Sequence, residues 1–143
     1  MTIENALDGA IKTIPDCVAG GYVDLDTGFL LSARTVSNHP AEVLNTVAAA
    51  TKDLFQGPNI VMIEEMFKKV RGKEGQGGHY FQDMLIFSEN LIHVFLRTTE
   101  FPDHVICYVC RKSANVGMVL MKARQSVDSV TGALSGRRVT ARV

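Results

Sequence analysis

Cys107 and Cys110 spell C-x-x-C, a spacing that could begin a zinc site, and His93 and His104 are near enough to offer ring nitrogens to it. The run that carries the cysteines, Val105-Ile106-Cys107-Tyr108-Val109-Cys110, reads as a strand. Strand residues three apart point to opposite faces, so the two thiols cannot both reach one ion. No second cysteine pair accompanies them. Together with Cys17 they sit among apolar neighbours and read as reduced thiols packed as small hydrophobes, with no disulfide expected. The histidines read as ordinary hydrogen-bonded side chains.

Asp24 and Asp26 share one face of a strand and could hold a cation or a proton, but the turn beside them explains them as solvated carboxylates at a hairpin end. The segment 71–79 gathers Gly72, Gly75, Gly77 and Gly78 and ends in His79, yet it lacks the G-x-x-x-x-G-K-[ST] pattern that cradles phosphate. Arg111-Lys112-Ser113 precedes a helix start where free N–H groups could meet an anion, although helix capping accounts for it more simply. Met62, Met66, Met118 and Met121 could form an adaptable binding surface or fill gaps in a core. Nowhere do a nucleophile, a base and an orienting group come together in a recognisable spacing. The sequence therefore predicts no enzyme, no cofactor and no metal.

The elements that position these residues follow from periodicity. Ile3, Leu7, Ala10, Ile11 and Ile14 recur at helical spacing after Thr2 as N-cap, with Pro15 at the far end. Residues 22–25 and 29–35 alternate around Asp26-Thr27-Gly28 and predict a hairpin whose turn needs Gly28. After Asn38-His39-Pro40, the stripe Val43, Leu44, Val47, Ala48, Thr51, Leu54 and Phe55 predicts a second helix ending at Gly57-Pro58. Its run Ala48-Ala49-Ala50 offers a small surface on which a partner helix could lie. From Asn59, Ile60, Ile63, Phe67 and Val70 mark a further helix, with Glu64, Glu65, Lys68 and Lys69 suited to its solvated face. Residues 71–79 read as a mobile surface loop.

Three antiparallel strands are expected at 81–87, 91–97 and 104–111, joined by Ser88-Glu89-Asn90 and by a turn at Pro102-Asp103. They are apolar on both parities and need cover on two sides. Val116, Val119, Leu120, Ala123, Val127, Val130 and Leu134 then predict a last helix capped by Ser113 or Asn115. Residues 1–134 form one domain in this reading, and 135–143 a frayed basic tail with Arg137, Arg138 and Arg142. Fifteen basic and fifteen acidic residues balance over 143 positions, so no net field draws the chain to nucleic acid or an anionic membrane. With no apolar run near the roughly 20 residues that span a bilayer, and no signal-like start, the expected location is cytoplasmic.

The fold class expected is α+β, a five-stranded antiparallel sheet with helices on both faces. This order, with Gly21-Tyr22-Val23-Asp24-Leu25-Asp26-Thr27-Gly28 and the passage 109–120 containing Asn115-Val116-Gly117, resembles the roadblock / dynein-light-chain family over about residues 3–130. The chain departs from that pattern in the extra helix and glycine segment of 59–79. The resemblance implies Asp24, Asp26, Gly28, Asn115 and Gly117 as motif residues. It also implies a homodimer, or a dimer with a second roadblock-like chain, in which third strands pair edge to edge and second helices pack together. Leu44, Val47, Ala48, Met84 and Ile86 would lie near that seam. It implies a small GTPase as partner, with the module acting as a platform or activator and not as a catalyst. The alternative is a small-molecule sensory domain of a related helix-flanked fold, which would need a ligand cavity beside its helices.

Overall fold

The computed structural model describes residues 2–36, 41–73 and 78–142. Their element order is α1 (Ile3–Thr13), β1 (Cys17–Asp24), β2 (Phe29–Thr35), α2 (Ala41–Gln56), α3 (Pro58–Val70), β3 (Asp83–Phe87), β4 (Leu91–Arg97), β5 (His104–Arg111) and α4 (Val116–Arg142). The five strands form one antiparallel sheet in the order β2-β1-β5-β4-β3, so the expected fold class is the one observed.

Two cores lie on opposite faces of this sheet. On one face, Ile3, Leu7, Ala10 and Ile14 meet Tyr22, Ile92, Val94, Ile106, Tyr108 and Cys110, with Val119, Ala123 and Val130 of α4 completing the layer. Each fully buried aliphatic side chain there contributes roughly 1.5–3 kcal/mol by leaving water. On the other face a smaller cluster joins Ala48 and Phe55 of α2 to Val23, Leu25, Phe95 and Val105. Such double cover is what the strands, apolar on both parities, require.

Local chemistry fixes the element ends. The Thr2 hydroxyl accepts the Asn5 N–H at 3.1 Å and caps α1, while Asn115 Oδ1 accepts the Met118 N–H at 3.0 Å. Asn115 is thus the cap of α4, and Ser113 instead donates to Asp16 Oδ2 at 3.3 Å. The hairpin turn has Gly28 at φ +76°, a conformation that a β-carbon would strain. Gly57 separates α2 from α3 with no room for a side chain: a β-carbon there would lie 2.7 Å from the Asp53 carbonyl oxygen. The Asn38-His39-Pro40 cap expected for α2 lies outside the described residues, as do Gly75 and Gly77.

Several expectations are corrected. β1 starts at Cys17 and not at Tyr22, because it is a central strand paired on both sides and so does not alternate. The third strand begins at Asp83, two residues later than expected, since the Phe81 N–H is taken by Glu64 and not by β4. Helix α4 is described from Val116 to Arg142. Among the described residues no helix is long and apolar enough to cross a membrane.

Candidate interaction surface

The strand β3 lies at the rim of the sheet and pairs with β4 through Asp83↔Leu96, Met84↔Phe95, Leu85↔Val94, Ile86↔His93 and Phe87↔Ile92. Period two sorts its side chains. Met84 packs against the α2-side core, so Ile86 points to that same face. Asp83, Leu85 and Phe87 point to the other, where Asp83 Oδ2 accepts from Arg124 of α4 at 2.9 Å. Ile86 remains 37% exposed and Phe87 54%. The outer edge thus presents unpaired backbone polar groups beside apolar side chains, the arrangement that templates pairing with another strand.

Helix α2 packs over β1 and β2 and reaches β4 through the edge-to-face contact of Phe55 with Phe95, centroids 6.3 Å apart. This leaves Ile86 and its cross-strand neighbour His93 only partly covered on that face. Val47 is 49% exposed and Leu44 is half-buried. Ala48, however, is buried against the sheet of its own chain, so the small outward surface of α2 belongs to Ala49 and Ala50. The expected seam set therefore divides: Ile86 faces outward, Val47 is half-exposed at the mouth of a cavity between α2 and the sheet, Leu44 and Met84 are half-covered, and Ala48 is internal.

Helix α3 departs furthest from expectation. Its one buried residue is Glu64, 3% exposed. Glu64 Oε2 accepts the backbone N–H groups of Tyr80 at 2.7 Å and Phe81 at 3.1 Å, and Oε1 lies 3.6 Å from His79 Nδ1, whose ring reaches Asp103 at 3.2 Å. Phe67 stacks on Tyr80 at 4.8 Å. From β4, Arg97 binds the same segment, Nε donating to the Phe81 carbonyl at 3.0 Å and Nη1 to the Pro102 carbonyl at 2.7 Å. Its guanidinium lies 5.0 Å from the centre of the Phe55 ring, and burial lowers its pKa. With a turn of about 100° per residue, Met62 and Met66 stand nearly opposite Glu64, and Ile63 and Val70 well to one side. These residues are exposed, Met66 at 61% and Val70 at 83%. Glu65 and Lys69 lie on the wet face as expected, but Glu64 anchors the helix inward, and Met62, Met66 and Val70 face out.

The motif residues serve the backbone. Asp24 Oδ1 accepts the Asp26 N–H at 3.0 Å and Oδ2 accepts from the Thr27 hydroxyl, while Lys52 Nζ donates to the carbonyls of Leu25 and Asp26. Asp24 and Asp26 are thus part of a tied turn. A β-carbon on Gly117 would sit 3.3 Å from Asn115 Oδ1 and crowd the α4 cap. Cys107 lies on the α2 side and Cys110 in the opposite core, and burial pushes the Cys107 thiol up to about 12. His104 Nδ1 is 2.8 Å from the Tyr22 hydroxyl and His93 Nε2 3.1 Å from the Ser88 hydroxyl, so both rings have local partners. Among the described residues no three His, Cys, Asp or Glu side chains gather to hold a metal. The apolar cavity between α2 and the sheet, lined by Gly21, Leu30, Leu44, Val47 and Val109, holds about 70 Å³, well below the roughly 300–1,000 Å³ typical of ligand pockets.

No known family profile matches the sequence, and no curated protein matches it. Solved structures do. A roadblock/LC7 domain from Streptomyces avermitilis superposes with a TM-score of 0.67 at 12% identity, over 94% of this chain and 99% of that one. A structure of MglB in a tetrameric arrangement gives 0.67 at 14% identity, covering 92% of this chain and 86% of that one. The gliding protein MglB from Thermus thermophilus gives 0.67 at 15% identity, covering 92% of this chain and 87% of that one. A sheet of this order, with its helices on both faces and its third strand at the rim, is the roadblock fold.

Proposed function

We propose that this chain is a non-enzymatic, dimeric protein-interaction module that regulates or scaffolds a small GTPase of the polarity, motility or transport type. The observation that carries the reading is the open edge of β3, apolar on both faces and paired on one side by β4. A second copy, or a second roadblock-like chain, satisfies it by continuing the sheet across a two-fold axis, with the outward alanines of α2 open to the partner's helix. The likeness to MglB, one of whose structures is described as tetrameric and another as a gliding protein, supports self-association and the motility assignment.

The GTPase would gain from such a module by having its own switch segments held in one conformation, without an arginine inserted from this chain. The test uses the chain as bait against cell extract, with eluates searched for GTPases and for a second roadblock-like chain. Capture of a GTPase that charge reversal at Lys122 of α4 abolishes, with the fold and the dimer intact, supports the reading. Capture of no GTPase in either nucleotide state contradicts the partner assignment.

A further inference from the structure

Cys17 opens β1 and Cys110 lies near the end of β5, and the two are direct partners across the antiparallel ladder. Both side chains enter the same core, between α1 and α4. The register shifts between Cys17 and Ala19, so the pair closes the ladder beside an irregularity; regularly opposed residues have Cα atoms about 4.5–5.5 Å apart, inside the roughly 4.4–6.8 Å that a disulfide spans. The Cys17 thiol donates to the Ala19 carbonyl oxygen at 3.3 Å. Cys17 is 9% exposed and Cys110 fully buried, so a small reagent meets Cys17 first.

The surroundings are built tightly. Asp16, just before Cys17, holds φ +52°, a left-handed conformation unusual for a residue with a side chain. Its carbonyl accepts the Arg111 N–H at 3.0 Å and its carboxylate accepts from Ser113. The cysteine pair therefore sits where the α1–β1 turn is stitched to the β5–α4 junction, two parts of the chain far apart in sequence.

We propose that Cys17 and Cys110 are a modification site for peroxide-class oxidants, closing to a cross-strand disulfide that locks the first helix and strand to the last strand and helix. The Cys17 thiolate attacks one oxygen of hydrogen peroxide, the O–O bond breaks, and hydroxide leaves; Cys17 becomes a sulfenic acid as the peroxide is reduced by two electrons. Cys110 Sγ then attacks Cys17 Sγ, the S–O bond breaks, and the departing hydroxide takes the Cys110 proton and leaves as water. The neighbouring Cys17 and burial push the Cys110 thiol up, and Cys17 is the more exposed of the two. Cys17 is thus the attacking thiol and Cys110 the resolving one. Cys107, on the other face and pushed up by burial, takes no part.

The test treats the native full-length chain with a small excess of hydrogen peroxide, blocks remaining thiols by alkylation and digests without reductant. The expected product is a peptide pair joined through Cys17 and Cys110, lost on reduction, absent from C17S and C110S and retained in C107S. The oxidised wild type should also melt several degrees above the reduced form, because the link closes a long loop of the unfolded chain. Wild-type measurement alone decides the matter should a variant fold poorly. Cys17 oxidised to sulfinic acid without a link, both thiols remaining free, or links that run to Cys107 or between chains would overturn the proposal.

Discussion

Helices α1 and α3 are of similar length, 11 and 13 residues, and both carry an apolar stripe at helical spacing, yet the protein uses them in opposite ways. In α1 the stripe is internal: Ile3, Ala6, Leu7 and Ala10 are buried against the sheet and α4. In α3 a glutamate is internal, and Met62, Met66 and Val70 lie outside. Periodicity announces that a face needs cover. It does not say which part of the molecule supplies that cover, and among the described residues α1 buries its stripe while Met62, Met66 and Val70 of α3 stay exposed.

Substitutions at equivalent apolar positions break this comparison most sharply. Leu7→Ala, which opens a cavity under α1, should cost about 2–5 kcal/mol of unfolding free energy in urea titrations. Met66→Ala on α3 should stay within about 0.5 kcal/mol for the isolated chain. Equal losses at the two sites would mean that α3 is covered after all. Next in size, Glu64→Ala leaves the Tyr80 and Phe81 N–H groups without their acceptor and should cost roughly 2 kcal/mol, with hydrogen exchange accelerating at those two amides first. Unchanged exchange there would show that the carboxylate is not what holds α3 in place.

A smaller effect separates the caps. Asn115→Ala removes the acceptor for the Met118 N–H and should lower stability by about 1 kcal/mol, whereas α3, whose Gly57 makes no side-chain cap, has no counterpart to lose. The smallest effect concerns α1 again. Arg34 donates to Asp8 at 2.9 Å and holds that carboxyl below its usual value. A depressed carboxyl stabilises the fold above its ordinary pKa, and this contribution fades as pH falls through the lowered one. Asp8→Asn should therefore flatten the acid limb of the stability curve slightly, and a steeper limb would contradict the sign.

Much of the fold was legible because local signals agreed. Gly28 marked the turn it occupies, Thr2 and Asn115 cap the helices they precede, and β4 and β5 lie where the apolar runs placed them. Gly20 and Gly21 hid the start of β1, since glycines commonly punctuate strands. Here a β-carbon on Gly20 would come within 3.2 Å of the Tyr108 ring, so its lack of a side chain serves packing inside the strand. The surface was read less well. Ala48 belonged by type to a helix seam but is buried under its own sheet, and Glu64 looked like one of four solvent charges. Its inward role depends on two backbone N–H groups 16 and 17 residues later, a pairing that no periodicity encodes.

The central claim is that the rim at β3 is completed by a second chain, and sedimentation velocity on the purified protein at tens of micromolar tests it most directly. The result expected is a dimer for the wild type and a monomer of unchanged stability for Ile86→Lys, which sets a charge from each copy on the proposed seam. A wild-type chain that sediments as a monomer at that concentration, its third strand stable and alone at the edge, would contradict it.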